Sequence, residues 1–277
     1  MKIANNKLEG VPFIQSPNGG SVITPKFIVM HYTAGYTGKS AIDTFKNPAS
    51  KVSAHLVIDL DGSITQMMPF NKSAWHAGPS KHDGYTNLNS HSIGIEIVNI
   101  GYLKKLSDGW YQDAYGNKRA ASVWPYGFIE AKHPRVGSGT YYWPIYTPQQ
   151  METLNKLVPV LIKAYGIKDI VSHEEIDTRK WKSDPGPAMD LNHFKKMLYG
   201  RDDESAEDTL ALDKFKVNTL SLNIRGGAGT NYPVIGTLKQ GDQVERVDKV
   251  GDWAYVNYTE SGTCKQGWVH SYYLKAA

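Results

Sequence analysis

The run Arg201-Asp202-Asp203-Glu204-Ser205-Ala206-Glu207-Asp208 sets five carboxylates against one cation and holds no large apolar side chain. Such a segment repels itself and has nothing to bury, so it reads as a solvated linker that divides the chain into separate folding units. The division falls into residues 1–199, an acidic linker 200–213, and residues 214–277. The first part is long enough for an ordinary domain and the last for a small one.

The two flanks carry different periodicities. Upstream, the β-rich runs Phe27-Ile28-Val29-Met30, Val52 to Asp59, Ile64 to Met68 and Ile93 to Val98 alternate with helical patterns. The spacing predicts a helix capped by Thr147 and opened by Pro148, with Gln150 completing a capping box and Gly166 as the stop. Met151, Leu154, Leu157, Val158, Leu161, Ile162 and Tyr165 form its apolar stripe, and Pro159 predicts a kink. A second helix is expected from an Asp190 cap through Leu191, Phe194 and Leu198 to Gly200. This is a mixed α/β domain with a central sheet flanked by helices. Downstream, short runs at 221–225, 234–238, 243–247, 253–258 and 267–270 alternate with glycine-bearing turns and predict a small all-β barrel. Residues 101–146 hold 11 of the 31 aromatic side chains, with many Gly and Pro and no helical pattern. They are expected to form a long irregular insertion, either a binding loop or a cover for one sheet face.

Composition removes several function classes. Lys and Arg number 31 against 27 Asp and Glu, a net charge of +4 without a basic cluster. That favours weak attraction to anionic surfaces such as cell walls, and nucleic acid is not an expected partner. No apolar run approaches the roughly 20 residues of a membrane span, and the first ten residues lack the apolar stretch of a secretory signal. Export is expected by another route, and the chain is expected to be a monomer. The single Cys264 allows neither an internal disulfide nor a thiolate zinc cluster. Gly-x-Ser-x-Gly and the phosphate-binding glycine loops are absent, which leaves no support for serine catalysis or nucleotide cofactors.

A metal remains. His31 and His173 each end an apolar run, so both are expected at strand ends, where open α/β sheets place their ligands. Asp184 follows His173 by eleven residues. Two imidazoles and a carboxylate would leave a fourth tetrahedral position open, the arrangement of catalytic zinc. A plainer reading competes at this point: a strand-end histidine is more often a hydrogen-bonded structural residue than a ligand, and Asp184-Pro185-Gly186 is a good turn without any metal. Glu96, in Ile93-Gly94-Ile95-Glu96-Ile97-Val98, points away from the isoleucine face, toward solvent or toward a cleft.

These motifs, with Val52-Ser53-Ala54-His55-Leu56-Val57-Ile58, Ala74-Trp75-His76-Ala77-Gly78 and Lys182-Ser183-Asp184-Pro185-Gly186-Pro187, resemble the zinc-dependent N-acetylmuramoyl-L-alanine amidases, a family that includes phage lysis enzymes, wall-recycling enzymes and peptidoglycan recognition proteins. The resemblance implies Zn2+ held by His31, His173 and Asp184, Glu96 as acid/base carboxylate, and Lys182 as a positive group near the developing oxyanion. It implies hydrolysis of the amide joining N-acetylmuramic acid to L-alanine in bacterial peptidoglycan. The wall-recycling branch is the nearest pattern, which keeps a cytoplasmic enzyme acting on anhydro-muropeptides in view. A non-catalytic recognition protein is the other alternative. Residues 214–277, from Leu222-Asn223-Ile224-Arg225-Gly226-Gly227 to Gly267-Trp268-Val269-His270, resemble a bacterial SH3-like wall-binding module. In such a module Asn223, Arg225, Trp253 and Trp268 are the candidate wall contacts. Action at the bacterial cell wall follows from the pairing.

Overall fold

A computed structural model describes residues 1–199, 213–230, 232–260 and 263–277. The expected helix stop at Gly200 and the acidic linker up to residue 212 lie outside the described residues, and Asp213 opens a strand. By its internal contacts the chain forms two compact units, residues 1–120 with 129–202, and residues 121–128 with 203–277.

The first unit is built on a five-stranded sheet of β1 (Phe27–Tyr32), β2 (Leu56–Ile58), β3 (Ile64–Gln66), β4 (Ser92–Ile97) and, later in the chain, Asp169–Ser172. Between β4 and that last strand lie β5 (Leu103–Lys105), β6 (Trp110–Asp113), β7 (Lys118–Ala120), β8 (Phe128–His133) and β9 (Gly137–Pro144), which makes Asp169–Ser172 β10. The central order is β10-β1-β4-β2-β3, parallel except for the β2–β3 hairpin. Parallel strands are covered on both faces, and the sequence shows it: Ile28, Met30, Ile93, Ile95, Ile97 and Ile170 pack one face, Phe27, Val29 and Val171 the other.

Helix α1 (Gly38–Lys46) follows β1, and α2 (Pro148–Tyr165) lies on the isoleucine face. The α2 boundaries hold to the residue, and of the expected stripe Met151 and Tyr165 are only partly buried. Thr147 accepts from the Gln150 amide, Gln150 caps Thr147 in return, and Gly166 ends the helix at φ 63°. Leu154, Leu157, Val158, Leu161 and Ile162 are its buried stripe, each contributing about 1.5–3 kcal/mol of burial. The helix runs through Pro159 as one element. One turn of α3 (His173–Ile176) follows β10, and α4 (Leu191–Tyr199) opens after Asp190, whose carboxylate accepts from the Asn192 amide.

Residues 101–144 are not the irregular insertion expected from their glycines and prolines. They form a second five-stranded sheet of order β7-β6-β5-β9-β8. The glycines sit in or beside its turns: Gly109, Gly116 and Gly127 lie between strands and Gly137 opens β9, all with positive φ. They punctuate strands that the aromatic residues fill.

The second unit is one antiparallel sheet of β11 (Asp213–Val217), β12 (Ser221–Arg225), β13 (Val234–Lys239), β14 (Gln243–Val250), β15 (Trp253–Glu260), β16 (Thr263–His270) and β17 (Leu274–Ala276). Its order is β13-β12-β16-β15-β14-β11-β17. Leu222, Ile224, Leu238, Val244, Val256 and Val269 face inward to a small core of their own. The five expected strands are all present, and β11 and β17 are additions. Residues 121–128 pack within this unit: a Cβ on Gly226 would stand 3.1 Å from the Tyr126 carbonyl, and one on Gly127 would meet Pro233 and Tyr232 at 3.5 Å.

Candidate metal centre and cleft

The registers of three parallel strands assemble the site. Glu96 on β4 pairs with His31 on β1, and Ser172 on β10 pairs with Met30, so His173 leaves β10 beside His31. Paired residues of parallel neighbours point to the same face, about 4.8 Å apart. His31, Glu96 and His173 therefore gather at the carboxyl end of the sheet. Asp184 arrives from the following loop, whose Asp184 carbonyl accepts from the Glu174 amide at 3.1 Å.

The three candidate ligands converge on one point. His31 Nδ1 lies 2.9 Å from His173 Nδ1 and 2.9 Å from Asp184 Oδ2, and His173 Nδ1 lies 3.0 Å from the same oxygen. All three residues are 5% exposed or less. Among the described residues this is the one group of three or more His, Cys, Asp or Glu side chains able to hold an ion. Donors around a tetrahedral zinc at about 2.0–2.1 Å stand roughly 3.3 Å apart, so the triangle is slightly tight but of the right size.

A hydrogen-bond chain sets the tautomer of His31. The Leu88 carbonyl can only accept, and it takes the Ser92 hydroxyl at 2.6 Å. With its proton committed, Ser92 Oγ accepts from His76 Nε2 at 3.2 Å, which leaves His76 Nδ1 to accept from His31 Nε2 at 3.0 Å. His31 Nδ1 is then the bare lone pair aimed into the triangle, the orientation a metal requires. Burial and the neighbouring His173 ring lower the His31 pKa to about 4, and burial holds His76 well below its ordinary value. Both rings stay neutral. Burial pushes the Asp184 carboxyl up, but its close approach to the His173 and His31 rings outweighs it and leaves the group below the usual carboxylate range. The Nδ1 atoms of two imidazoles and an ionised carboxylate form a donor set that fits a divalent cation.

Glu96 lines the cleft beside this triangle. Its Oε2 is enclosed without a hydrogen-bond partner, and burial together with the Asp184 charge raises its pKa well above the ordinary value, against the pull of Lys182. The cleft has a volume of about 640 Å³, and Lys182, Tyr32, Trp75, Tyr102, Tyr115 and Trp181 are among its walls. Residues 21–187, more than half the chain and inclusive of all five of these candidate residues, match the family described as N-acetylmuramoyl-L-alanine amidase. The chain belongs to this family.

Residues 220–275 match the bacterial SH3 domain. The chain is 29% identical over 150 residues to the 1,6-anhydro-N-acetylmuramyl-L-alanine amidase AmpD of Escherichia coli K12, covering 53% of this chain and 59% of AmpD. It is 30% identical over 171 residues to the N-acetylmuramoyl-L-alanine amidase AmiD of the same organism, covering 58% and 49%. The match thus spans less than two thirds of either relative. In three dimensions it resembles the crystal structure of a selenomethionine AmpD derivative at a TM-score of 0.50 and 24% identity, over 72% of this chain and 99% of that one, a likeness of fold.

Several residues that position this cleft carry no sequence signal of their own. Asp177, 3% exposed, accepts from the amides of Trp181 at 2.7 Å and Lys182 at 3.2 Å and from Arg179 Nε at 2.9 Å. It shapes the loop that carries Lys182, in which Lys180 adopts φ +60°. His55 stays out of the cleft: its Nδ1 accepts from the Gly94 amide at 3.0 Å and its Nε2 donates to the Lys72 carbonyl at 2.8 Å. Both ring nitrogens are used, so His55 is structural.

In the SH3 unit, Asn223, Arg225, Trp253 and Trp268 share the outward face of β12, β16 and β15, alternating with the inward Leu222, Ile224, Ala254 and Val269. Arg225 pairs in register with Trp268. The Trp268 ring lies 5.1 Å from Tyr255 and the Trp253 ring 5.2 Å from His270. Arg225 differs from the others, because one of its terminal nitrogens donates to the Thr230 and Tyr232 carbonyls at 3.0 and 2.6 Å. That guanidinium holds the loop after β12.

Proposed function

We propose that this chain hydrolyses the amide bond between N-acetylmuramic acid and L-alanine in bacterial peptidoglycan, with zinc as the resident ion and the SH3 domain as a wall anchor. The observation that carries the proposal is the 2.9–3.0 Å triangle of His31, His173 and Asp184, with an unpartnered glutamate in the same cleft.

His31, His173 and Asp184 would hold the ion, which when bound supplies Lewis acidity toward water and toward a carbonyl oxygen. Glu96 takes the proton of the attacking water. Its raised pKa keeps the acquired proton available for the L-alanine nitrogen as that group leaves, so one carboxyl serves as base and then as acid. Lys182 brings a positive charge to the cleft wall, where the carbonyl oxygen becomes negative; such stabilisation is worth about 3–4 kcal/mol in an enclosed site. The aromatic walls exclude water and offer flat surfaces to sugar rings.

The outward aromatic face of β15 and β16, with Asn223 beside it, is the proposed wall contact, and the acidic segment 200–213 the tether between the domains. Tethering raises the local substrate concentration on a polymer. The deciding experiment is mass analysis of fragments released from purified cell walls. A free L-alanine amine on the stem peptide, with intact glycan strands, is the expected product; cleaved glycosidic bonds or peptide cross-links would sink the proposal. The name of the AmpD relative favours a second reading, action on soluble anhydro-muropeptides. Comparing rates on intact sacculi and on soluble muropeptides separates the two.

A further inference from the structure

The inserted sheet ends against the backbone of the loop that carries the two late ligands. Arg135, in the turn between β8 and β9, donates from one terminal nitrogen to the Glu174 carbonyl and, at 3.0 Å, to the Lys182 carbonyl. Glu174 directly follows His173, and Lys182 stands two residues before Asp184. A single planar group thus links the chain on both sides of a seven-residue excursion. His133 supports the same attachment: its Nδ1 accepts from the Arg135 amide at 3.3 Å, so its Nε2 donates to the Glu174 carboxylate at 2.6 Å. Trp143 of β9 lies over Gly186, where a Cβ would stand 2.6 Å from the ring, and Tyr146 donates to the Pro185 carbonyl at 2.8 Å. None of these side chains is a metal ligand.

We propose that the inserted hairpin β8–β9 is a brace for the ligand loop, and that Arg135 is a positioning residue that fixes the distance between His173 and Asp184. The first ligand, His31, is held by strand register and needs no such help. The late pair lies on a single helical turn and a loop, where the Glu174 amide donating to the Asp184 carbonyl at 3.1 Å is the direct backbone link between them, and Arg135 ties the flanking carbonyls from outside the loop. Removing the guanidinium frees two carbonyls and lets the His173–Asp184 separation widen. The inference rests on the metal-dependent reading above.

The test uses the full-length protein, wild type and Arg135→Ala, with zinc affinity measured by competition against a chromogenic chelator. Loss of a group that orients metal ligands typically lowers affinity about 10- to 100-fold, and that is the expected result for Arg135→Ala. On purified walls kcat should fall by more than KM changes, because Tyr32, Trp75, Tyr102 and Tyr115 line the cleft from outside the loop that Arg135 holds. Arg135→Lys, which keeps one charged donor, should recover part of the affinity. Zinc affinity equal to wild type in Arg135→Ala overturns the brace. Should the alanine variant fail to fold, Arg135→Gln, able to reach only one of the two carbonyls, decides on the same criterion. A wild-type protein that binds no zinc at all overturns the metal reading itself, an outcome distinct from wild-type binding that the variants share.

Discussion

The site has two halves built by different means. His31 and Glu96 sit on adjacent parallel strands in the interior of a sheet buried on both faces, and their placement follows from backbone register alone. His173, Lys182 and Asp184 sit on one turn of helix and a loop, and their placement depends on side chains from elsewhere: Asp177 from within the loop, Arg135 and Trp143 from the inserted sheet. The sheet half is fixed by the same burial that makes the domain fold. The loop half is fixed by a handful of hydrogen bonds, each worth about 0.5–1.5 kcal/mol net. An active site assembled in this way can vary its loop without unfolding its core, and substitutions in the two halves should fail differently.

The largest effect is expected at the sheet half. His31→Ala removes the proposed ligand that the relay from Leu88 orients, and both zinc content and wall lysis should drop below detection while the SH3 domain keeps its fold. Full activity in a zinc-free His31→Ala protein would dissolve the distinction, since neither half would then be a metal site. Glu96→Gln should be milder in one respect and as severe in another. Zinc binding should persist, kcat should fall about 10²–10⁴-fold as for loss of a general acid/base, and KM should change little. Thermal stability should not fall, because the wild-type carboxyl is enclosed without a partner. A glutamine variant with wild-type kcat removes Glu96 from the chemistry.

The same contrast explains what the sequence makes legible. Apolar runs ending in His31 and His173 announce strand ends, because a buried parallel strand must be almost wholly apolar until it reaches the sheet edge. The α2 boundaries are legible for a similarly local reason: Thr147, Pro148, Gln150 and Gly166 each satisfy helix-end groups within four residues. The side on which Glu96 opens is not local. It depends on β4 lying next to β1 in one register, a pairing across 65 residues that no periodicity encodes. Arg135 and His133 are less visible still, since they act on backbone carbonyls and leave no pattern at either end. The inserted sheet was hidden because glycine-rich turns and irregular chain look alike in composition.

The loop half breaks more gently. Asp177→Ala removes the acceptor for two amides and one guanidinium, a loss of about 2–4 kcal/mol of local stability. Hydrogen exchange should rise over residues 174–186 and stay unchanged in β1 and β4, with activity reduced through Lys182. Equal loosening of β1 would show that the halves are not separable. His55, structural in the sheet half, gives a pH test of the opposite sign to a histidine held in a salt bridge. Burial lowers its pKa from 6.5 to about 4, so between those values the unfolded chain takes up a proton that the folded chain refuses. Its contribution is fully present above pH 6.5 and is lost as pH falls toward 4, to a total of about 3 kcal/mol. In metal-free protein, His55→Asn should flatten the stability profile across that window; an unchanged slope would place the acid sensitivity in other groups.

The smallest effects belong to the SH3 domain, where the four candidate contacts divide in the way the two halves of the cleft do. Trp268 and Trp253 present half-exposed rings on the outward face, and Asn223 is exposed beside them, whereas Arg225 spends one terminal nitrogen on the carbonyls of Thr230 and Tyr232. Arg225→Ala should therefore lower the melting temperature of the domain, by the roughly 8–16 °C that 1–2 kcal/mol brings in a domain of about 60 residues. Its loss of wall binding should track that destabilisation and disappear on cooling. Trp268→Ala should do the reverse, with co-sedimentation on purified walls reduced about 5- to 30-fold, the equivalent of 1–2 kcal/mol at a single aromatic contact. Asn223→Ala should change sedimentation by less than either. If the tryptophan variant sediments like wild type at every temperature, the outward aromatic face is not the wall contact, and the binding surface lies on another part of the sheet.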